Sequence, residues 1–136
     1  MKRSTDNGHS WSETSVVHGE SNPDTCTKTK HSGCVVIGNP APIVDMSTGT
    51  VHMVFSRNNE QVGILSSTDE GLTWGAVRNL KGTLMTRNKW TTVFTGLSAG
   101  FTLDPSFGRG NRLIVCCNHQ GCNPQGKPLI KNASYM

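Results

Sequence analysis

Two eight-residue stretches decide the reading of this chain: STDNGHSW, Ser4–Trp11, and STDEGLTW, Ser67–Trp74. Both fit the pattern Ser-Thr-Asp-x-Gly-x-[Ser/Thr]-Trp, and the second begins 63 residues after the first. Self-similarity on that scale marks repeated supersecondary units. The residue types explain one another as a clamped β-turn. Asp6 and Asp69 are short enough to accept hydrogen bonds from nearby backbone N–H groups. Gly8 and Gly71, two positions later, supply positive φ without a Cβ penalty. Trp11 and Trp74 return the chain to a strand and offer a large apolar face to pack beneath the turn. Ser4 and Ser67 can cap further backbone groups. Turn chemistry accounts for every fixed position, so Asp6 and Asp69 are expected to be turn-formers rather than catalytic carboxylates.

Outward from the repeats, the apolar runs are short, β-rich and bounded by turn residues, with no amphipathic helical period. Ile43–Asp45, Val51–Ser56, Val62–Ser66, Ala76–Leu80, Gly100–Leu103, Arg112–Cys117 and Leu129–Ser134 are expected strands. Ser47-Thr48-Gly49 is the turn of a hairpin. Gly19–Gly33 and Asp104–Asn111 are read as loops. The 136 residues suffice for one small domain. Hydrophobic residues make up 34% and charged residues 16%, with 15 glycines, which suits short strands, many turns and a thin core. The expected fold class is therefore all-β, with antiparallel strands arranged as a propeller.

The formal net charge is +4, but the Lys and Arg residues are scattered. The densest spot, Lys28 and Lys30, has no interleaved aromatics, so nucleic-acid binding is excluded. No stretch is long or apolar enough to be a membrane-spanning helix. Met1-Lys2-Arg3 runs into Ser4-Thr5-Asp6 with no apolar signal region, which means a cytosolic chain if Met1 is the true start, or a missing N-terminus. The cysteines are Cys26, Cys34, Cys116, Cys117 and Cys122, an odd count. Cys26 and Cys34 could close a short loop, and Cys122 could pair with Cys116 or Cys117. Two Cys/His groups, Cys26/His31/Cys34 and Cys116/Cys117/His119/Cys122, lack the paired C-x2-C spacing of structural zinc, so no metal is expected. No cofactor is implied. Asn132-Ala133-Ser134 is a glycosylation sequon, of use only on a secretory route.

The two repeats resemble the Asp-boxes of sialidases (neuraminidases), which are six-bladed β-propellers. The resemblance extends between them. KRSTDNGHSW, Lys2–Trp11, looks like the end of a first blade. GNPAPIVDMSTG, Gly38–Gly49, resembles the family's Asn/Asp-Pro, strand and Asp-x-x-Thr-Gly hairpin. VRNL, Val77–Leu80, and RLIVC, Arg112–Cys116, are similar to the lysosomal subgroup. The resemblance implies a partial propeller over residues 1–136. Residues 1–18 would be the end of one blade, 34–80 a second blade and 97–136 the start of a third. It implies an exo-α-sialidase, a glycoside hydrolase acting on sialylated glycoproteins, oligosaccharides and gangliosides, in a lysosomal, secretory or membrane-associated setting.

The family's catalytic residues have no counterparts here. Its nucleophile is a tyrosine, supported by a Glu base, an Asp acid/base and three arginines on the substrate carboxylate. The first arginine lies in a Phe/Tyr-Arg-Ile-Pro motif ahead of the first Asp-box, and this chain contains no Arg-Ile-Pro. Tyr135 aligns with a blade strand. Arg57, Arg87, Arg109 and Arg112 stand outside any clamp motif. The candidate substrate-binding residue is Asn39, before Pro40, whose counterpart lies at the family's active-site rim; its alternative reading is a pre-proline turn. Leu97–Leu103 takes the place of a Gly-x-Gly-Ile stretch near the pocket, and Ala99 and Phe101 depart from it. Two other readings compete. One is a non-catalytic Asp-box module that binds carbohydrate or protein. The other is a small autonomous β-domain, whose first turn would lack a supporting strand.

Overall fold

The computed structural model describes residues 1–20, 26, 34–86, 90–96, 99–104, 106, 111–122 and 128–135, the last eight and Met85, Thr86 and Cys122 by backbone alone. The chain divides into two compact units, Met1–Cys34 and Val35–Met136.

In the first unit the segments flanking the first repeat turn are drawn together. Ser12 N donates to the Arg3 carbonyl at 2.8 Å, and Ser15 N to the Met1 carbonyl at 2.9 Å. Cys26 and Cys34 are joined as a disulfide.

The second unit is antiparallel β throughout its described strands. β1 (Ile37–Val44), β2 (Val51–Arg57), β3 (Gln61–Ser67) and β4 (Arg78–Asn79) form a four-stranded meander in chain order. β5 (Trp90–Thr95), β8 (Cys117–Cys122) and β9 (Pro128–Tyr135) form a three-stranded sheet, and β6 (Phe101–Thr102) pairs with β7 (Leu113–Ile114). Gly82–Thr86 makes a single π-helical turn.

The hairpin joining β1 to β2 closes on Asp45, whose carboxylate accepts the Ser47 N–H at 2.9 Å and the Ser47 hydroxyl at 2.6 Å. Its main-chain carbonyl takes the Gly49 N–H at 2.8 Å, with Gly49 at φ 71°. β2 passes to β3 through Asn58 and Asn59, at φ 51° and 56°. Asparagine accepts the left-handed region better than other residues with a side chain.

The core follows from alternation. On β1, Ala41 and Ile43 are buried while Pro42 and Val44 are exposed, the period of two of a pleated strand. Val54 of β2, Val62 of β3 and Val93 of β5 complete the cluster. Leu65 and Phe55 are buried as well. Val54, Phe55 and Ser56 are buried in succession, so both faces of β2 are covered.

Several strands differ from expectation. β1 begins well before Ile43, and β4 is only two residues long. Arg112–Cys117 divides between β7 and β8. Trp90–Thr95 and Cys117–Cys122 form strands where none were foreseen. The first of these carries its own signal, since Trp-Thr-Thr-Val-Phe-Thr is β-branched and aromatic. Cys116 and Cys117 are free thiols, so the pairing with Cys122 considered above does not form. The physical reason is β8: five residue steps along a strand carry Cys122 roughly 16 Å from Cys117, beyond the reach of a disulfide. Most of Gly19–Gly33 and of Asp104–Asn111, with Arg87 and Arg109, lies outside the described residues.

Two glycines in this unit, Gly96 and Gly100, are fixed by packing against main-chain carbonyls. A Cβ on Gly100 would meet the Ile43 side chain and lie 2.6 Å from the Ile114 carbonyl. Since that carbonyl is main chain, relief requires a backbone shift. Gly100→Ala is expected to cost about 1–3 kcal/mol, as overpacking does, read as a lower urea midpoint with an unchanged slope.

Candidate functional site

The repeats form nearly superposable turns. Asp6 and Asp69 each close a bond to the residue three positions on, from His9 N at 3.3 Å and from Leu72 N at 3.2 Å. The central pairs are left-handed: Asn7 and Gly8 at φ 57° and 88°, Glu70 and Gly71 at 59° and 86°. That is the signature of a primed β-turn. The variable position therefore needs positive φ as well as the glycine, a requirement the sequence pattern left invisible.

Serine and aspartate hold these turns. Ser67 Oγ donates to Asp69 Oδ1 at 2.7 Å and accepts the Gly71 N–H at 2.8 Å. Asp69 also takes the Thr73 N–H at 2.9 Å and the Thr73 hydroxyl at 2.5 Å. In the first turn Ser4 Oγ donates to Asp6 Oδ1 at 2.8 Å and accepts the Gly8 N–H at 2.7 Å, while Asp6 takes the Ser10 N–H at 2.9 Å and the Ser10 hydroxyl at 2.5 Å. The tryptophans differ. Trp11 donates its indole N–H to the Gly8 carbonyl at 3.1 Å and stays 61% exposed, so it is not buried beneath its turn. Trp74 is half-buried, and its indole nitrogen has no hydrogen-bond partner among the described residues.

Hydrogen bonds from the Ser10 and Thr73 side chains, then from their backbone N–H groups, bring both carboxyl pKa values down from 3.8 to about 2. Acids this strong hold no proton to donate near neutrality. A lowered folded-state pKa gives stability that is complete above the unfolded value and is lost on acidification through the folded one. The chain is thus expected to lose stability as pH falls from 3.8 towards about 2. NMR titration of the Asp6 and Asp69 side-chain carboxyls would check this; midpoints at the ordinary value would contradict it.

Asn39 sits elsewhere, in a β-bulge. Gly38 faces Ser56 and Ala41 faces Val54, so β1 carries one more residue than β2 across Asn39-Pro40. Asn39 adopts φ 52°. The extra residue is thus absorbed within a strand rather than in a pre-proline turn. Bulges re-aim side chains. Here Asn39 Nδ2 lies 3.4 Å from Ser56 Oγ, which donates to the Gly38 carbonyl at 3.1 Å. The buried Thr95 donates its hydroxyl to the Asn39 carbonyl at 2.5 Å.

These residues open a cleft of about 380 Å³ lined by Asn39, Phe94, Thr95, Gly96, Cys116, Cys117 and Asn118. Gly96 N donates to the Cys116 carbonyl at 2.6 Å, closing the wall. Asn118 Oδ1 is buried with no hydrogen-bond partner among the described residues. Burial, and then the neighbouring Cys116, pushes the Cys117 thiol pKa up. Beyond the wall, His119 stacks on Trp90 with ring centroids 3.9 Å apart, and burial lowers its pKa.

The cleft offers an amide donor on Asn39 and an apolar wall. Among the described residues no carboxylate, arginine or tyrosine lines it. Of the sequence candidates it gathers Asn39 alone. Arg57 and Arg112 lie outside it, and the side chains of Asn132 and Tyr135 lie outside the described residues, though both positions fall within β9. Phe94, Thr95 and Asn118 were not foreseen, because their placement depends on β5 and β8 meeting β1. A second cleft of about 350 Å³ lies among Met46, Ser47, Thr102, Leu103, Asp104 and Asn111. Among the described residues no group of three or more His, Cys, Asp or Glu could hold a metal ion.

No protein-family model matches the chain, and no curated protein matches it. Among solved structures it is similar to one described as Hadza microbial sialidase Hz136, with TM-score 0.65 and 21% sequence identity. The match covers 93% of this chain and 26% of that one, so the chain spans about a quarter of that sialidase's length. With the antiparallel sheets described above, this likeness defines the fold as a partial, sialidase-like β-propeller.

The bulge separates backbone from side-chain roles at Asn39. Alanine at positive φ is expected to cost about 1–2 kcal/mol, while glycine avoids that penalty. Asn39→Ala should therefore unfold at a lower urea concentration than Asn39→Gly, although both remove the amide from the cleft. Equal midpoints would place the cost in the side chain instead.

Proposed function

We propose that this chain is part of an exo-α-sialidase of lysosomal type, a glycoside hydrolase that releases terminal sialic acid from glycoproteins, oligosaccharides and gangliosides. The observation that carries the reading is the fold likeness to a sialidase over 93% of the chain. The two Asp-box-like turns and the GNPAPIVD and RLIVC segments agree with it.

In this reading the Asn39 cleft contributes to the sugar-binding face. The Asn39 amide supplies a donor, and Phe94 gives an apolar surface. Nucleophile, acid/base and carboxylate clamp come from propeller segments other than these 136 residues, which are inactive by themselves. The Asp6 and Asp69 carboxylates brace turns and take no part in the chemistry. A lysosomal or secretory setting agrees with the Cys26–Cys34 disulfide, since such bonds persist in oxidising compartments.

Two measurements test the proposal. Titrating N-acetylneuraminic acid into the isotopically labelled chain should shift the backbone amides of Gly96, Cys117 and Asn118 and spare those of Asp6 and Asp69. Shifts confined to other regions would remove the cleft from the sugar-binding face. With a fluorogenic sialoside the isolated chain should give no turnover above buffer; turnover would show that it holds a complete catalytic set.

A further inference from the structure

Cys116 and Cys117 are free thiols, both partly exposed, and both contribute to the wall of the Asn39 cleft. In a regular strand successive side chains point to opposite faces. Here the chain leaves β7 at Ile114 and enters β8 at Cys117, so the pair lies at the break between two sheets. Its backbone is anchored: the Cys116 carbonyl accepts the Gly96 N–H at 2.6 Å, and Cys117 pairs with Thr95 on one side and Tyr135 on the other.

Geometry keeps these thiols apart from disulfide chemistry within the chain. Adjacent α-carbons across a trans peptide are about 3.8 Å apart, closer than the roughly 4.4–6.8 Å that a disulfide spans. Cys122 is held at the far end of β8. Cys26 and Cys34 can therefore be oxidised while Cys116 and Cys117 persist as a dithiol.

We propose that Cys116 and Cys117 form a dithiol site in the cleft wall that takes a soft, thiophilic centre with two exchangeable positions, of the class of trivalent organic arsenicals. Two As–S bonds form as the arsenic–oxygen bond breaks, and both thiol protons leave with the oxygen as water. No electrons are transferred. The arsenical's organic group then occupies the space beside Phe94 and Asn39, and the cleft closes to other ligands. This inference rests on the cleft's geometry and not on the sialidase reading.

The test uses phenylarsine oxide and the full 136-residue chain with its disulfide intact. Intact mass should show one phenylarsenic group bound per chain with loss of one water. The adduct should survive excess 2-mercaptoethanol and be released by dithiothreitol. Peptide mapping of the unsubstituted chain should show Cys116 and Cys117, and not Cys122, protected from iodoacetamide. Because the second As–S bond is intramolecular, Cys116→Ser and Cys117→Ser should each weaken binding by roughly 100-fold or more, whereas Cys122→Ser should bind as the natural chain does. Absence of uptake, release by monothiol, or protection mapping to Cys122 would overturn the proposal. The mapping needs no variant, so it decides the matter even if a serine variant fails to fold. Loss of sialic acid binding with arsenical uptake intact would defeat the functional reading and leave this one standing.

Discussion

The hydrogen bond from the Thr95 hydroxyl to the Asn39 carbonyl ties the two larger sheets together at the point where β1 bulges. Its donor is buried and its acceptor belongs to a residue at positive φ. A carbonyl turned out of the β1–β2 ladder needs another partner, because an unpaired buried polar group is costly. β5 supplies that partner and in doing so sets Phe94 and Gly96 around the cleft. Backbone satisfaction and site construction are here the same event.

The repeat turns solve a related problem by a local route. Each presents two consecutive left-handed residues and recruits a Ser-Asp pair to absorb the N–H groups that such a path exposes. The carboxylates are saturated by donors from their own turn, and their chemistry is spent on holding the chain. Residues that stand out most strongly in the sequence are thus the ones with least left to offer a substrate.

Legibility in the sequence follows the range of the interactions. The turns, the antiparallel β class and most strands of the first sheet are written in neighbouring residues, and they could be read from Ser-Thr-Asp-x-Gly, from Asp45-Met46-Ser47-Thr48-Gly49 and from VHMVFS. The Cys26–Cys34 bond was also within reach, since only a short loop separates the two. The bulge at Asn39-Pro40 is a count of one residue against another strand, and no local pattern contains it. Asn118 is a polar residue in a polar run, and only the packing of β8 on β5 buries its oxygen. The unforeseen Trp90–Thr95 strand had the right composition, with Asn88 before it and Gly96 directly after it.

The bulge also has a meaning for insertion and deletion. If β1 lost one residue between Gly38 and Ala41, the ladder would run regularly, with Ser56, Phe55 and Val54 each facing a single partner, and Ala41 and Ile43 would keep their buried positions. The sheet itself has no use for the additional residue. What would vanish is the outward-turned carbonyl and the left-handed asparagine beside it. A shorter β1 would thus give a tidier blade without the Asn39 side of the cleft, and the length of this strand answers a demand that comes from outside the sheet.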